Sequence, residues 1–529
     1  MNLARLMVPL RRAGVVVGTV ACVGAVAALA IVPAAGTAPP DEARRVDVGP
    51  GESVLVCPTP VRLAQPDVGD SELGSSPVAT TGELLALVWG PGASSATGLA
   101  GATDQPLTGP LAAGPDGAVL RGTLPDDARV VRAEVSGADV SAVAGVSASV
   151  TTAGDLRGLA AGACAAPGID HWLVGGSTEV GSSARLVLQN PGWTAAKVRL
   201  RAWGPSGPVA LGGQAALVVP PGGQAEALLE GLAPEQRRLA LHVAATGGRV
   251  TAYVQHHSIE GIVPAGTDLV TPGAAPAEAV AVAGLVSAGE RADDPRAPRL
   301  RVLAPGDAPG TAHVTVYGKD GPVRLRGAED VALEPGQVTE VPLGGLPKGT
   351  YTVTVDATVP VVAGGTFTRE GAPDEDAVVD DAPYDRAWSA GQPVTGAPGA
   401  SVTALPPEAA ATVVLTGVPA LRGTEDEPTG ASAVVVRGFG ADGAATGQAS
   451  LELTAGTTVT LPAGELGEGT VGVRVEPSGT PDGPATVWAV LLAADDTTEK
   501  AGTLVSVLAP APVAPEASAV VVRRVEAVG

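Results

Sequence analysis

The sequence predicts an all-β protein: tandem Ig-like β-sandwich domains after one N-terminal transmembrane or signal helix. Three observations carry that expectation. Among its 529 residues are 72 Gly and 48 Pro, so turns are frequent and long helices are rare. One pattern of alternating strand, aromatic residue and glycine-bounded turn recurs three times. A single uncharged apolar run stands behind a group of arginines at the N-terminus. The 45% hydrophobic content is ample for a core, but with six Trp, four Tyr and two Phe that core must be built from Val, Leu and Ala.

The first element is residues 1–40. Arg5, Arg11 and Arg12 precede an apolar run from Ala13 to Val32. About 20 apolar residues can cross a bilayer as a helix, whereas a signal-peptide core is about 7–15. The arginines place the N-terminus inside and the remainder outside. Residues 1–40 therefore read as a membrane anchor or a removed signal peptide. Ala34-Ala35-Gly36 and Gly36-Thr37-Ala38 offer small residues for cleavage, although Pro39 obstructs cutting after Ala38. Cys22 lies within the run and is no lipidated N-terminal cysteine. Val520–Val525 is too short to span. The expected location is the cell membrane, with the ectodomain outside, or the secreted space.

Residues 46–165 read as a looser β domain, with strand-like stretches at 52–56, 84–89 and 129–135 between Ala/Gly/Ser-rich segments. Export permits disulfides, and Cys57 and Cys164 are the two remaining cysteines, expected to be bridged. Such a bridge would staple the N-terminal region to the start of the next domain.

The repeat sets the next three domains, 166–285, 286–400 and 401–529. Its alternating strands are Val198-Arg199-Leu200-Arg201-Ala202-Trp203, His313-Val314-Thr315-Val316-Tyr317 and Ala433-Val434-Val435-Val436-Arg437-Gly438-Phe439. Each ends in an aromatic followed by a turn: Gly204-Pro205-Ser206-Gly207, Gly318-Lys319-Asp320-Gly321 and Gly440-Ala441-Asp442-Gly443. A Pro-Gly or Ala-Gly turn comes later in each copy. Alternation puts one face inward and one toward water, which favours two antiparallel sheets packed face to face. Joints are expected at 289–295 and 371–385. The second carries Asp374, Glu375, Asp376, Asp380, Asp381 and Asp385 and reads as a solvated acidic linker. Residues 509–515 read as semi-extended.

Within the first copy, His171-Trp172-Leu173-Val174, Leu186-Val187-Leu188-Gln189-Asn190-Pro191-Gly192 and Tyr253-Val254-Gln255-His256-His257 form a set. With Val56-Cys57-Pro58, the set resembles a family of uncharacterised extracytoplasmic actinobacterial proteins known only as a domain of unknown function. That resemblance implies tandem β-sandwich modules outside the membrane. It implies no activity and no catalytic residues.

Chemistry is sparse. The sequence has no Gly-x-Ser-x-Gly, Ser-x-x-Lys, Gly-Lys-Ser/Thr or His-Glu-x-x-His motif. Of the five histidines, His256 and His257 are adjacent and so point to opposite faces of a strand, unsuited to a shared metal. No catalytic residue, cofactor or metal is expected. Trp172, Trp193 and Trp203 are the one concentration of aromatics: packing residues on the bland reading, a binding surface on the sharp one. The net charge of −22 excludes nucleic acid as a partner and disfavours bare polyanions. The expected function is a non-enzymatic cell-envelope protein presenting β-sandwich modules to a protein partner. The alternatives are a cell-wall carbohydrate-binding or adhesion module and an accessory subunit of an envelope or glycan assembly machine.

Overall fold

The computed structural model describes residues 44–48, 53–63, 80–89, 94–99, 112–114, 117–133, 142–212, 215–325, 327, 329–371, 381–394, 399–419, 430–478, 483–496, 503–513 and 518–522. Among them nearly every ordered element is a strand; the helical ones are the four-residue Leu229–Leu232 and Ala463–Leu466. The apolar run 13–32, with the expected anchor or signal helix, lies outside the described residues. No described helix is long and apolar enough to cross a membrane. The chain divides into two units. In one, Met1–Pro50 with Glu516–Gly529, strand Arg44–Val48 pairs antiparallel with Ser518–Val522. The other, Gly51–Pro515, holds all remaining strands.

One pairing order occurs three times. In the first repeat, Asp170–Val174, Ala240–Thr246 and Ala196–Gly204 lie side by side, and the short Gly207–Val209 and Ala216–Val219 pair with Ala196–Gly204. The second sheet runs Gly223–Leu228, Ser182–Asn190, Thr251–Glu260, Val263–Val270. Leu186 and Leu188 from this sheet meet Val198 and Leu200 from the other in one core. The third repeat sets Ser401–Ala404, Gly472–Pro477, Ala431–Phe439 and Ala445–Thr454 in one sheet. Its other sheet is Thr458–Pro462, Ala410–Val418, Ala485–Ala494, Leu504–Leu508. In the second repeat a single 22-residue strand, Gly349–Glu370, serves both sheets. Its first half pairs with Ala277–Ser287 and Gly310–Gly318, its second with Arg299–Leu303 and Tyr384–Ala390. The first copy breaks the same path at Gly247-Gly248, between Ala240–Thr246 and Thr251–Glu260. In every copy the first strand joins the sheet of the third and does not pair with the second.

Burial separates outer strands from joints. Ala196–Gly204 alternates buried and exposed residues from Ala196 to Arg201, as a strand with one wet face must. Leu504–Leu508 is buried throughout, and so is most of Ala277–Ser287, because both of their faces meet protein. The region before the repeats is a well-formed β unit. Ser53–Cys57, Arg129–Ala133 and Ser94–Gly98 make one sheet. Gly117–Thr123, Thr80–Trp89, Ala142–Thr151 and Gly158–Ala163 form the second, extended by Ala112–Gly114.

These four parts close on one another. Leu85 and Leu87 of the first part share a core with Val402 and Val413 of the third repeat. Val418 and Val487 of the third repeat join the core of the second. At the centre the last strand of each part meets its neighbours. Gly158–Ala163 packs on Val263–Val270 and on Leu504–Leu508, and Tyr384–Ala390 packs on the same two. The aromatic ending each repeat's alternating strand forms a joint. A Cβ on Gly336 would sit 3.5 Å from Trp203 Cδ1, and one on Gly456 3.4 Å from Tyr317 Cε1. Phe439 lies 5.0 Å, centroid to centroid, from Trp89 of the first part.

Candidate functional site

Cys57 ends Ser53–Cys57 and Cys164 follows Gly158–Ala163, and the two are disulfide-bonded across 107 residues. Val56 and Ala165 exchange backbone hydrogen bonds beside the bridge. The bridge therefore ties together the two sheets of the first part, rather than that part to the next domain.

The three tryptophans do not form one exposed surface. Trp172 and Trp203 stack at 5.4 Å and are buried with Val174, Leu303, Val338 and Val362, sealing the first repeat against the second. His242 stacks on Trp172 at 4.2 Å and bonds Asp170 Oδ2 at 2.8 Å. Trp193 alone is open to solvent, 70% exposed. It stands in the turn before Ala196–Gly204, where Asn190 binds the chain at Thr194 and Gly192. Along that strand Lys197, Arg199 and Arg201 occupy every second position, all exposed, with exposed Val218 opposite Lys197. An alternating strand has thus put three cations in a row on an outer face of a strongly acidic chain.

The central junction holds two aspartates that are almost wholly buried. Asp385, expected in a solvated joint, accepts from four backbone N–H groups. Leu159 (3.0 Å) and Val505 (2.7 Å) donate to Oδ2, Thr267 (3.2 Å) and Arg386 (2.8 Å) to Oδ1. Burial pushes its pKa up to about 6, against the pull of those donors and of the Arg157 charge. Asp374, Glu375, Asp376 and Asp380 lie outside the described residues. Asp268 takes Trp388 N–H and the Ser506 hydroxyl, both at 2.8 Å, and burial holds it well above the usual carboxylate range. Sequence reading missed both, because each carboxylate is placed by strands over 100 residues away. Arg157 pairs with Asp496 at 2.5 Å on the same side, both side chains buried.

Of the paired histidines, His257 is half-buried and His256 is fully buried, edge-on to Trp388 at 5.4 Å. Neither ring nitrogen of His256 has a partner among the described residues. Burial first, then the Arg386 charge, keep it neutral. No group of three metal-ligating side chains converges among the described residues.

Among the described residues are two clefts of more than 500 Å3, large enough to hold ligands. One, of about 590 Å3, is mainly apolar and lies between the first part, the first repeat and the 507–512 segment. Tyr253 borders it, its hydroxyl bonded to Thr59 and its pKa pushed up by burial to about 12. The other, of about 530 Å3, opens between the first and second repeats and is lined by six arginines and four glutamates. Glu340 is clasped by Arg299 (2.9 Å) and Arg301 (3.1 Å). Burial raises the Glu340 pKa, but Arg301 and then Arg299 outweigh it and hold the carboxyl below its usual range. Arg301 also donates to the carbonyls of Gly176 and Arg237. Arg296 is paired with Glu260 and lies 3.9 Å over the Tyr384 ring.

The model of a family of unknown function, DUF5719, matches residues 119–464, and the chain belongs to that family. No curated protein matches. Among solved structures, the Thermotoga maritima protein 1070 is 18% identical over 22% of this chain and 95% of its own, with a TM-score of 0.17. The Streptomyces avermitilis alpha-L-rhamnosidase complexed with L-rhamnose is 10% identical over 78% of this chain and 55% of its own, with a TM-score of 0.11. Neither superposition is close enough to carry an argument.

Proposed function

We propose that this member of the DUF5719 family is a non-enzymatic protein of the cell envelope. It would stand outside the cytoplasmic membrane and offer its Ig-like β modules to a protein partner. The arginine-led apolar run 13–32 supports an N-terminal anchor or signal, and the buried disulfide is compatible with an oxidising compartment. Asp268 and Asp385, the two buried carboxylates of the central junction, are engaged in holding strands together.

The observation that carries the reading is the outer face of the first repeat. Lys197, Arg199 and Arg201 project to solvent beside exposed Trp193 and Val218, in a chain whose net charge is −22. A basic and aromatic patch on an acidic body suits an acidic protein surface, since charge complementarity sets partner choice. Crosslinking of the tagged full-length protein in its native envelope, followed by mass spectrometry, tests it. One recurrent partner, crosslinked near this face and lost from R199E/R201E, is expected. Capture unaffected by that double variant, or a hydrolase or transferase activity abolished by one substitution, would overturn the reading. A second reading, binding of wall glycan, rests on Trp193 alone, and glycan recovered without protein and lost in W193A would favour it.

A further inference from the structure

The cleft between the first and second repeats has a charge imbalance that its own residues do not resolve. Six arginines face four glutamates, an excess of two positive charges in a chain that carries −22 overall. Five of the arginines have partners: Arg237 meets Glu179, Arg238 the Val338 carbonyl, and Arg296, Arg299 and Arg301 the groups described above. Arg386 is the exception. Its strand, Tyr384–Ala390, pairs with Gly364–Glu370 and packs against Val263–Val270, and its side chain emerges into the cleft. The guanidinium has no hydrogen bond or ion pair among the described residues, while its own backbone N–H is taken by Asp385. Charges from Arg301, Arg296 and Arg299 bear on it, opposed by Glu260. His256, on which its charge acts, is neutral and supplies no counter-charge.

A guanidinium is a rigid fork of five donors that stays charged. Holding one half-buried, among like charges and without an acceptor, is unfavourable unless something else supplies the acceptor. We propose that this cleft binds a small, doubly charged oxyanion, a phosphate monoester or a dicarboxylate, with Arg386 as its bidentate contact. The excess of two charges sets the ligand's charge. The volume of about 530 Å3 leaves room for an organic substituent beyond the anionic group. Arg299 and Arg301, fixed by Glu340, flank the site without being free to leave it. The inference does not depend on the outer face of the first repeat or on a protein partner.

The test uses the full chain in chloride buffer, with inorganic phosphate, glycerol phosphate or succinate added at constant ionic strength. Thermal unfolding and calorimetric titration are the readouts. At least one of the three anions is expected to raise the unfolding midpoint and to release or absorb heat with one-site stoichiometry, as linkage requires of a ligand bound only to the native state. R386M should abolish both signals, yet unfold at a higher temperature than wild type in chloride alone, since it removes an unpaired, half-buried charge from among like charges. R386K, which keeps the charge and loses the fork, should bind at least tenfold more weakly, and it serves if R386M does not fold. R437M, at a surface pair in the third repeat, should behave as wild type. Phosphate-specific binding identifies the ester class, succinate-specific binding the dicarboxylate class. Absence of any anion-dependent shift in the wild type, or an equal shift in R386M, would refute the site.

Discussion

Replacement of Asp385 by Asn is the sharpest probe of the central junction. The carboxylate accepts two N–H groups at each oxygen, with donors from the first part, the first repeat, the third repeat and its own strand. An Asn amide keeps one acceptor corner and turns the other into a donor facing two donors. Two buried N–H groups lose their acceptor at about 1–3 kcal/mol each, so a destabilisation of roughly 2–6 kcal/mol is expected. Part of this is returned, because Asn carries no charge to desolvate. The pH dependence supplies the second half of the test. Asp385 has a pKa of about 6 in the fold against 3.8 when free. A raised native pKa means that the native state holds the proton more tightly. This group's contribution is therefore complete below the free value and is lost as pH rises through about 6. The difference corresponds to about 3 kcal/mol. Urea unfolding of wild type and D385N at several pH values between 4 and 7.5 reads both quantities. The variant should be less stable at pH 4 and should show a shallower decline with pH, so that its difference from wild type narrows toward pH 7.5. A residual slope of the same sign is expected from Asp268. A D385N protein within about 1 kcal/mol of wild type at pH 4, or one with an unaltered pH slope, would refute the account.

Three further outcomes follow from the packing. W203A should cost about 3–5 kcal/mol, because it opens a cavity between the first and second repeats, while W193A should stay within about 0.5 kcal/mol; urea midpoints compare them. Reduction of Cys57–Cys164, or C57S/C164S, should lower stability by about 2–4 kcal/mol without altering the β content seen by circular dichroism. R157M takes the cationic partner from buried Asp496 and should destabilise by about 3–5 kcal/mol, with D496N milder than R157M, as thermal unfolding would show.

The strands were largely legible because their cause is local. Val198-Arg199-Leu200-Arg201 alternates, and the structure gives it one buried and one wet face. Gly204 and Gly207 pair across Pro205-Ser206, as do Gly318 and Gly321 across Lys319-Asp320, so the turns read from glycine spacing stand where expected. The aromatic that ends each alternating strand was legible as a motif but not as a contact. What it touches belongs to a different part, and a periodicity describes only its own strand. Asp385 shows the opposite failure. In sequence it closes an acidic stretch and looks solvated; its burial follows from the convergence of Gly158–Ala163, Val263–Val270 and Leu504–Leu508, which local composition does not encode. The arginine cleft escaped for the same reason, since Arg237, Arg296, Arg301 and Arg386 come from four separate stretches of two repeats.

The way the four parts close also explains why carboxylates stand at the centre. Each part ends its second sheet in an edge strand, and an edge strand presents unpaired N–H groups that invite pairing with other chains. Strung out as independent beads, the parts would expose all four edges. Turned inward, the edges cover one another, but strands that meet without sharing a ladder leave N–H groups in a dry interior. Asp268 and Asp385 supply the missing acceptors: of the N–H groups they take, those of Ala161, Leu159, Thr267, Trp388 and Val505 all lie on these last strands. A Cβ on Gly158 would stand 2.6 Å from Asp385 Oδ1, so the close approach that lets the carboxylate reach across requires glycine there. The two carboxylates thus bond strands of all four parts. These four inner edges are covered, and among the outer sheet faces the cationic strand Ala196–Gly204 stands apart in an acidic molecule.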